Sequence, residues 1–403
     1  MRILSIETSC DETAVSIVEA EGGIGSPSFT VLGNALYSQI AVHAQYGGVF
    51  PKLAKREHAK NLPHILKQAL ESAGMWKDGA QEHADWDVIG VILKKEDDLA
   101  ARTQELLGHI ATPAIDVIAV TSGPGLEPAL WVGISFAKAL EKLWGIPAIP
   151  VNHMEGHIAS VLIQTPRSPA PDARFPIGTI RFPALALLIS GGHTEFVHME
   201  GFGRYAVIGK TADDAVGEAF DKTARMLGFP YPGGPEISRL AAIAREKNLP
   251  HIAKFPRPML HSKNLNFSFA GLKTSVLYYL RDVHGFDGVH PPELTLEEKA
   301  DIAREIEDAI TDVLLAKTRA AIAECAPKTL IVGGGVIANS HLSDAFRDLA
   351  GSEADLDLRI PQRDMTTDNA VMIACAAYIR LSISPEIMTY PQHIAAEGNL
   401  SLD

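Results

Sequence analysis

Cysteine is scarce in this sequence. Cys10, Cys325 and Cys375 are the whole set, far apart and with no C-x-x-C pair. That spacing leaves no disulfide framework and argues against a cysteine zinc site. Long apolar runs are absent as well, and none reaches the roughly 20 residues a membrane-spanning helix requires. The first residues, MRILSIETSCDET, carry acids where a secretory leader would carry its apolar stretch and cleavage site. A cytoplasmic protein with no membrane association is therefore expected. Excess positive charge is missing too: 36 Lys and Arg face 49 Asp and Glu, a formal net charge of −13. Taken alone, that balance argues against a polyanionic partner.

What is present fits an ordinary globular protein, with 46% apolar and 21% charged residues over 403 positions, enough for two domains. The charge is unevenly spread. Lys52, Lys55, Arg56, Lys60 and Lys67 cluster against the single acid Glu57, and a second basic stretch holds Lys254, Arg257, Lys263 and Lys273. Such patches can bind phosphates on an acidic protein, or be no more than solvated helix faces.

The chain reads as two passes through one plan. RILSIE (2–7), the turn TSCDE (8–12) and TAVSIVE (13–19) form a strand–turn–strand unit. PALALLIS (183–190), GGHTE and EFVHM repeat it. Each pass then offers a short strand, NALYS (34–38) or YAVIG (205–209), and a helix, about 51–73 or 214–228. Later each offers a strand entering a glycine-rich loop, DVIAVTSGPG (116–125) or KTLIVGGGVIAN (328–339). A helix, a last strand (AIPVN, 148–152, or DLRIP, 357–361) and a final helix, from His153 or from about Thr367, complete each pass. This duplication resembles the actin, hexokinase and sugar-kinase superfamily. The resemblance implies an α/β fold of two similar domains with a nucleotide and metal cleft between them. The expected domains are residues 1–152, joined by the C-terminal helix 367–403, and residues 153–366. Residues 76–115 form an expected surface insertion in the first domain, and about 264–324 a helical insertion in the second.

Four segments could carry chemistry. In NHMEGH, His153 and His157 are four residues apart and share one helix face, a common metal-ligand spacing. Surface or capping histidines are the plainer reading. The motif is not the H-E-x-x-H of zinc proteases, and Glu155 is poorly placed as a base. The repeat brings the start of the helix at TTDNA (366–370) opposite His153, which makes Asp368 the natural third ligand; as an alternative, Asp368 caps that helix. Two histidines and a carboxylate leave coordination positions open and suit iron or zinc. In ISGGHTE, Ser190, Gly191 and Gly192 can turn backbone N–H groups toward an anion, or simply close a hairpin. Asp11 and Glu12 occupy the matching turn of the first pass, where paired acids suggest metal or proton chemistry. GGGVIAN lets a flat ring approach the backbone, with Asn339 either a polar contact or a helix cap. In the helix that follows residue 213, Asp221 and Lys222 precede the tight loop Gly233-Gly234-Pro235, and spacing alone does not separate a ribose-binding acid from a surface one.

Taken in order, MRILSIETSCDET, YGGVFPKLAKREH, TSGPGLEPAL, NHMEGH, LLISGGHT, GEAFDKTARMLG, YPGGP, FPRPM, FSFAGLKT, GGGVIAN and TDNA resemble the universal tRNA threonylcarbamoyltransferase family, TsaD in bacteria, once classed as a sialoglycoprotein endopeptidase. The resemblance spans nearly the whole chain; the 76–115 insertion and the tail after about 380 depart from it. It implies transfer of a threonylcarbamoyl group from threonylcarbamoyl-AMP to the N6 amine of the adenine at position 37 of tRNAs that read codons beginning with adenine. It implies a divalent metal, Fe2+ ahead of Zn2+, on His153, His157 and Asp368. Donor contacts would be Leu188, Ile189, Ser190, Gly191, Gly192, Asp221, Gly234 and Asn339, in a cleft that an ATP- or ADP-type nucleotide could also occupy. Asp11 and Glu12 match the family's acidic pair. Implied partners are tRNA, an inactive paralogue (TsaB-like) and a P-loop ATPase (TsaE-like). The rivals are a small-molecule phosphotransferase of the same fold, a nucleotide-switched scaffold without catalysis and, last, a metalloprotease. A kinase would hold magnesium through carboxylates, phosphates and water rather than through a histidine pair.

Overall fold

A computed structural model describes residues 1–25, 27–79, 81, 84–96, 98–161, 163, 174–176, 180–389 and 393–403. Its contacts group into two compact units. Unit 1 comprises Met1–Ala41, Val49–Thr179 and Thr367–Leu402, and unit 2 comprises Val42–Gly48, Ile180–Thr366 and Asp403. The expected boundary at 152/153 is displaced, because the helix from His153 packs with the final helix of the chain in unit 1.

Unit 1 holds strands β1 (Arg2–Glu7), β2 (Glu12–Glu21), β3 (Ser28–Ser38), β4 (Val117–Gly123), β5 (Ala148–Asn152) and β6 (Arg174–Pro176) in the sheet order β5-β4-β1-β2-β3-β6. Its helices are α2 (Pro51–Ser72), α3 (Trp86–Leu93), α4 (Leu99–Leu107), α5 (Glu127–Trp144), α6 (His153–Val161) and α12 (Ala370–Ile383); the short α1 (Ile40–His43) straddles the boundary between the units. Unit 2 holds β7 (Ala184–Ile189), β8 (Thr194–Gly201), β9 (Arg204–Lys210), β10 (Thr329–Gly333) and β11 (Asp357–Arg359) in the order β11-β10-β7-β8-β9. Its helices are α7 (Val216–Met226), α8 (Gly234–Glu246), α9 (Ala270–His284), α10 (Leu296–Cys325) and α11 (Ser340–Gly351).

Five strands repeat in one order. In each unit the first strand pairs antiparallel with the second and parallel with the fourth, β1 with β2 and β4, and β7 with β8 and β10. This is the duplicated actin-like plan expected from the sequence, and α9 and α10 occupy the stretch read as a helical insertion.

The site depends on strand alternation in unit 1. Leu4, Ile6, Val15, Ile17, Ile118 and Val120 point into one core with residues of α2 and α5. Period two therefore puts Ser5, Glu7, Ser16 and Thr121 on the opposite face. Small residues there let α12 come close: the Ser5 hydroxyl donates to Ala370 O at 2.6 Å. Gly156 serves the same end on α6, where an added Cβ would sit 3.0 Å from Met372 and Ile373 of α12.

The 76–115 segment is more than a surface excursion. Ile89, Leu93, Leu99, Leu107, Ile110 and Ile115 are buried in the unit 1 core, so α3 and α4 enlarge it against α2 and α5. Residues 80, 82, 83 and 97 of that segment lie outside the described set. Among the described residues no helix is long and apolar enough to cross a membrane.

Candidate functional site

His153 opens α6 at the end of β5, and Asn152 fixes that start by accepting the Met154 amide at 2.8 Å. Four residues later on the same face comes His157, fully buried. The Asp368 Oδ1 atom lies 3.5 Å from His153 Nε2 and 3.3 Å from His157 Nε2. One ligand atom from each of the three residues falls within 4.8 Å of the others. The cap of α12 is Asn369, whose side chain accepts the Met372 amide at 3.0 Å, so the capping role weighed for Asp368 belongs to its neighbour.

Both ring nitrogens of His157 are buried without a hydrogen-bond partner. Burying such groups unsatisfied costs about 1–3 kcal/mol, and a cation at Nε2 would remove part of that cost. Donor set, spacing and orphaned nitrogen therefore fit a divalent metal of the zinc or iron class. Burial alone would lower the His153 pKa, but Asp368 and Glu7 outweigh it and raise the ring to about 9. A cation at Nε2 would replace that proton.

Glu7 was not singled out by sequence reasoning. It is fully buried at the end of β1. It accepts the Ser9 amide at 2.5 Å and the Thr121 hydroxyl at 2.6 Å, and it pairs with His153 Nδ1 at 3.1 Å. A carboxylate ending an apolar strand that enters a polar turn was the available signal.

The acidic turn adjoins this group within unit 1. Asp11 is buried, and burial followed by Asp11 and Asp368 pushes the Glu12 carboxyl well above its ordinary range. The Cys10 thiol is raised by burial and by Asp11, Asp368 and Glu12. From α2, the buried His58 holds the turn in place: Nε2 donates to Cys10 O at 3.0 Å, and Nδ1 pairs with Thr13 Oγ1 at 2.7 Å.

Unit 2 gathers the remaining candidates around two close glycine contacts. An added Cβ on Gly217 would lie 2.7 Å from Gly191 Cα, and one on Gly334, at φ +93°, would lie 2.4 Å from Ile189 O. The start of α7 and the GGG loop therefore close on the Ser190–Gly192 turn. Gly191 and Gly192 are exposed, and the Ser190 hydroxyl is occupied by the His193 amide at 3.1 Å. Leu188 and Ile189 have fully buried side chains, so only their backbone can meet a ligand. Asp221 Oδ1 accepts the Gly233 amide at 2.7 Å, which ties α7 to the start of α8 at Gly234. Asn339 is the cap of α11, its oxygen accepting the Leu342 amide at 3.0 Å and its nitrogen donating to the buried Glu307 at 2.6 Å. Lys222 pairs with Asp214 at 2.5 Å.

The basic stretches are partly consumed. Lys55 pairs with the buried Glu96 at 3.2 Å, and Lys67 pairs with Glu71 at 3.7 Å. Lys52, Arg56 and Lys60 are exposed at helical spacing of four on α2, with Arg56 and Lys60 3.9 and 3.6 Å from the buried Glu57. Arg257 is bound by Glu305 and Asp312, and Lys273 by Asp214. A second group, His251, Glu305 and Asp308, has the spacing of metal ligands, but Arg257 and Arg245 already neutralise its carboxylates.

A family model for tRNA N6-adenosine threonylcarbamoyltransferase, TsaD, matches residues 30–81 and 101–375. A protein named tRNA N6-adenosine threonylcarbamoyltransferase from Chromobacterium violaceum is 41% identical over 95% of this chain and 94% of its own length. One of the same name from Ralstonia pickettii is 40% identical over 96% and 93%. The solved activator of 2-hydroxyisocaproyl-CoA dehydratase from Clostridium difficile with bound ADPNP aligns over 96% of this chain and 97% of its own, with 11% identity and a TM-score of 0.46.

Proposed function

The chain belongs to the tRNA N6-adenosine threonylcarbamoyltransferase family, and from that membership we infer an acyltransferase that places a threonylcarbamoyl group on the N6 amine of an adenine in tRNA. The donor is threonylcarbamoyl-AMP and the acceptor is adenine 37 of tRNAs reading codons that begin with adenine. The reaction joins N6 to the carbamoyl carbon, breaks the carbon–oxygen bond to the phosphate and releases AMP. The leaving group is good. The amine is a poor nucleophile, because its lone pair is delocalised into the ring. Catalysis must therefore come from positioning and from removal of the N6 proton.

The exposed Gly191 and Gly192 amides offer donors for the donor's phosphate, with Leu188 and Ile189 contributing backbone groups. The GGG loop before Asn339 gives an approach for the adenine ring, and Asp221 and Gly234 frame the ribose side. Glu12, its carboxyl raised above the ordinary range by burial, Asp11 and Asp368, would take the N6 proton, with Asp11 beside it. A divalent cation on His153, His157 and Asp368, Fe2+ first and Zn2+ second, would polarise the donor's oxygens as a Lewis acid. Lys52, Arg56 and Lys60 would hold tRNA phosphates, and the target base must leave its stack to react. A cytoplasmic location and TsaB-like and TsaE-like partners complete the reading.

The buried, orphaned His157 Nε2 facing Asp368 carries the metal assignment. Asp368→Ala should abolish both stoichiometric metal and transfer. Metal retained in full by that variant contradicts the ligand set.

A further inference from the structure

We propose that Glu7 is the positioning residue that makes His153 a metal ligand, by fixing which ring nitrogen carries the proton. The inference deepens the metal reading and rests on it.

An ionised carboxylate only accepts hydrogen bonds. Glu7 meets three donors: the Ser9 amide at Oε1, and the Thr121 hydroxyl and the His153 ring at Oε2, at 2.5, 2.6 and 3.1 Å. The amide and the hydroxyl are donors at their contacts, so the third partner, Nδ1, is protonated as well. With Nδ1 protonated, the neutral ring has its lone pair at Nε2, the atom 3.5 Å from Asp368 Oδ1. The carboxylate thus selects the tautomer that offers Nε2 to a cation, and it holds the ring plane. Glu7 is fully buried, so water does not compete for these bonds.

The topology makes this arrangement specific. Parallel pairing sets Ile6 beside Val120, and so Glu7 beside Thr121, on the face turned toward α12. The Ser9 contact ties the same carboxylate to the turn that carries Asp11. One buried group therefore sets the metal helix and the acidic turn in register.

Glu7→Gln tests this with almost no change of shape. If the glutamine oxygen keeps the Ser9 amide, its NH2 faces Thr121 and Nδ1, which drives His153 to the tautomer protonated at Nε2. If the amide flips, two N–H groups oppose each other at Ser9. Zn2+ titration of the purified full-length chain should show affinity falling 10- to 100-fold, with Glu7→Asp recovering part of the loss. In the Zn2+-loaded wild type, 15N-imidazole NMR should find His153 protonated at Nδ1 and metal-bound at Nε2. Equal Zn2+ affinity in Glu7→Gln, or metal on Nδ1 in the wild type, overturns the inference. The NMR result stands even if the variant fails to fold. Asp368→Ala, run in parallel, separates the two ideas. If it too keeps Zn2+, the metal reading itself fails; if it alone loses Zn2+, only the role of Glu7 fails.

Discussion

At the start of α12, Asn369 takes the capping bond to Met372, which leaves the preceding carboxylate to face two histidines. Asn339 shows the reverse allocation. Its amide is committed on both sides, to the Leu342 amide and to Glu307, so its removal should cost stability before it costs binding. Asn339→Ala loses a cap, about 1 kcal/mol, and leaves a buried carboxylate short of a donor, about 1–3 kcal/mol. Thermal or urea unfolding should show a loss of about 2–4 kcal/mol; an unchanged midpoint would mean that this residue serves ligand alone. That His153, His157 and Asp368 lie together was legible because helix spacing and the internal repeat are properties of sequence. Glu7 was not, because its partners Thr121 and His153 lie 114 and 146 positions away and meet it only through parallel strand pairing.

Elements explain the rest of what sequence reading missed. The lysine-rich start of α2 reads as one basic face, yet Lys55 is turned to Glu96, whose side chain is 2% exposed. The partner sits in an insertion whose packing no local pattern reveals. Lys55→Glu should therefore destabilise the fold, by about 3 kcal/mol or more on the scale of a broken buried pair, whereas Arg56→Glu should leave the unfolding midpoint nearly unchanged. Equal midpoints would contradict the assignment of Lys55 to a tie between α2 and the turn that follows α3. Strand β8 carries a second testable group. Burial, helped by Asp403 and opposed by Lys210, raises Glu195 from 4.5 to about 6. The folded state then holds this proton more tightly than the unfolded chain, so stability falls as pH rises from about 4.5 to 6 and stays lower above. Glu195→Gln should remove that slope and gain at most about 2 kcal/mol at pH 7, with no gain below pH 4. Denaturation across pH 4 to 7 decides it.

Over the whole molecule, a net charge of −13 sits with a tRNA substrate only if cations are concentrated locally. Lys52, Arg56 and Lys60 are the exposed set on α2, the last two sharing the one buried acid Glu57 between them. The double change Arg56→Glu with Lys60→Glu should weaken tRNA binding and flatten its dependence on salt; an unchanged salt slope places the phosphate contacts elsewhere. The duplicated plan was readable from end to end, since strand alternation, glycine turns and helix periods recur in both passes. The boundary after β5 was not, because α6 follows the first sheet in sequence but belongs with α12 in packing.

The central claim is tested most directly by mixing the purified chain with threonylcarbamoyl-AMP and unmodified tRNA, with and without the proposed TsaB-like and TsaE-like partners. The tRNA is then digested to nucleosides, and the wild type is compared with Asp368→Ala. The account predicts N6-threonylcarbamoyladenosine from the wild type and none above background from the variant. Absence of the nucleoside from the wild type with both proposed partners present, or equal yield from the variant, would contradict it.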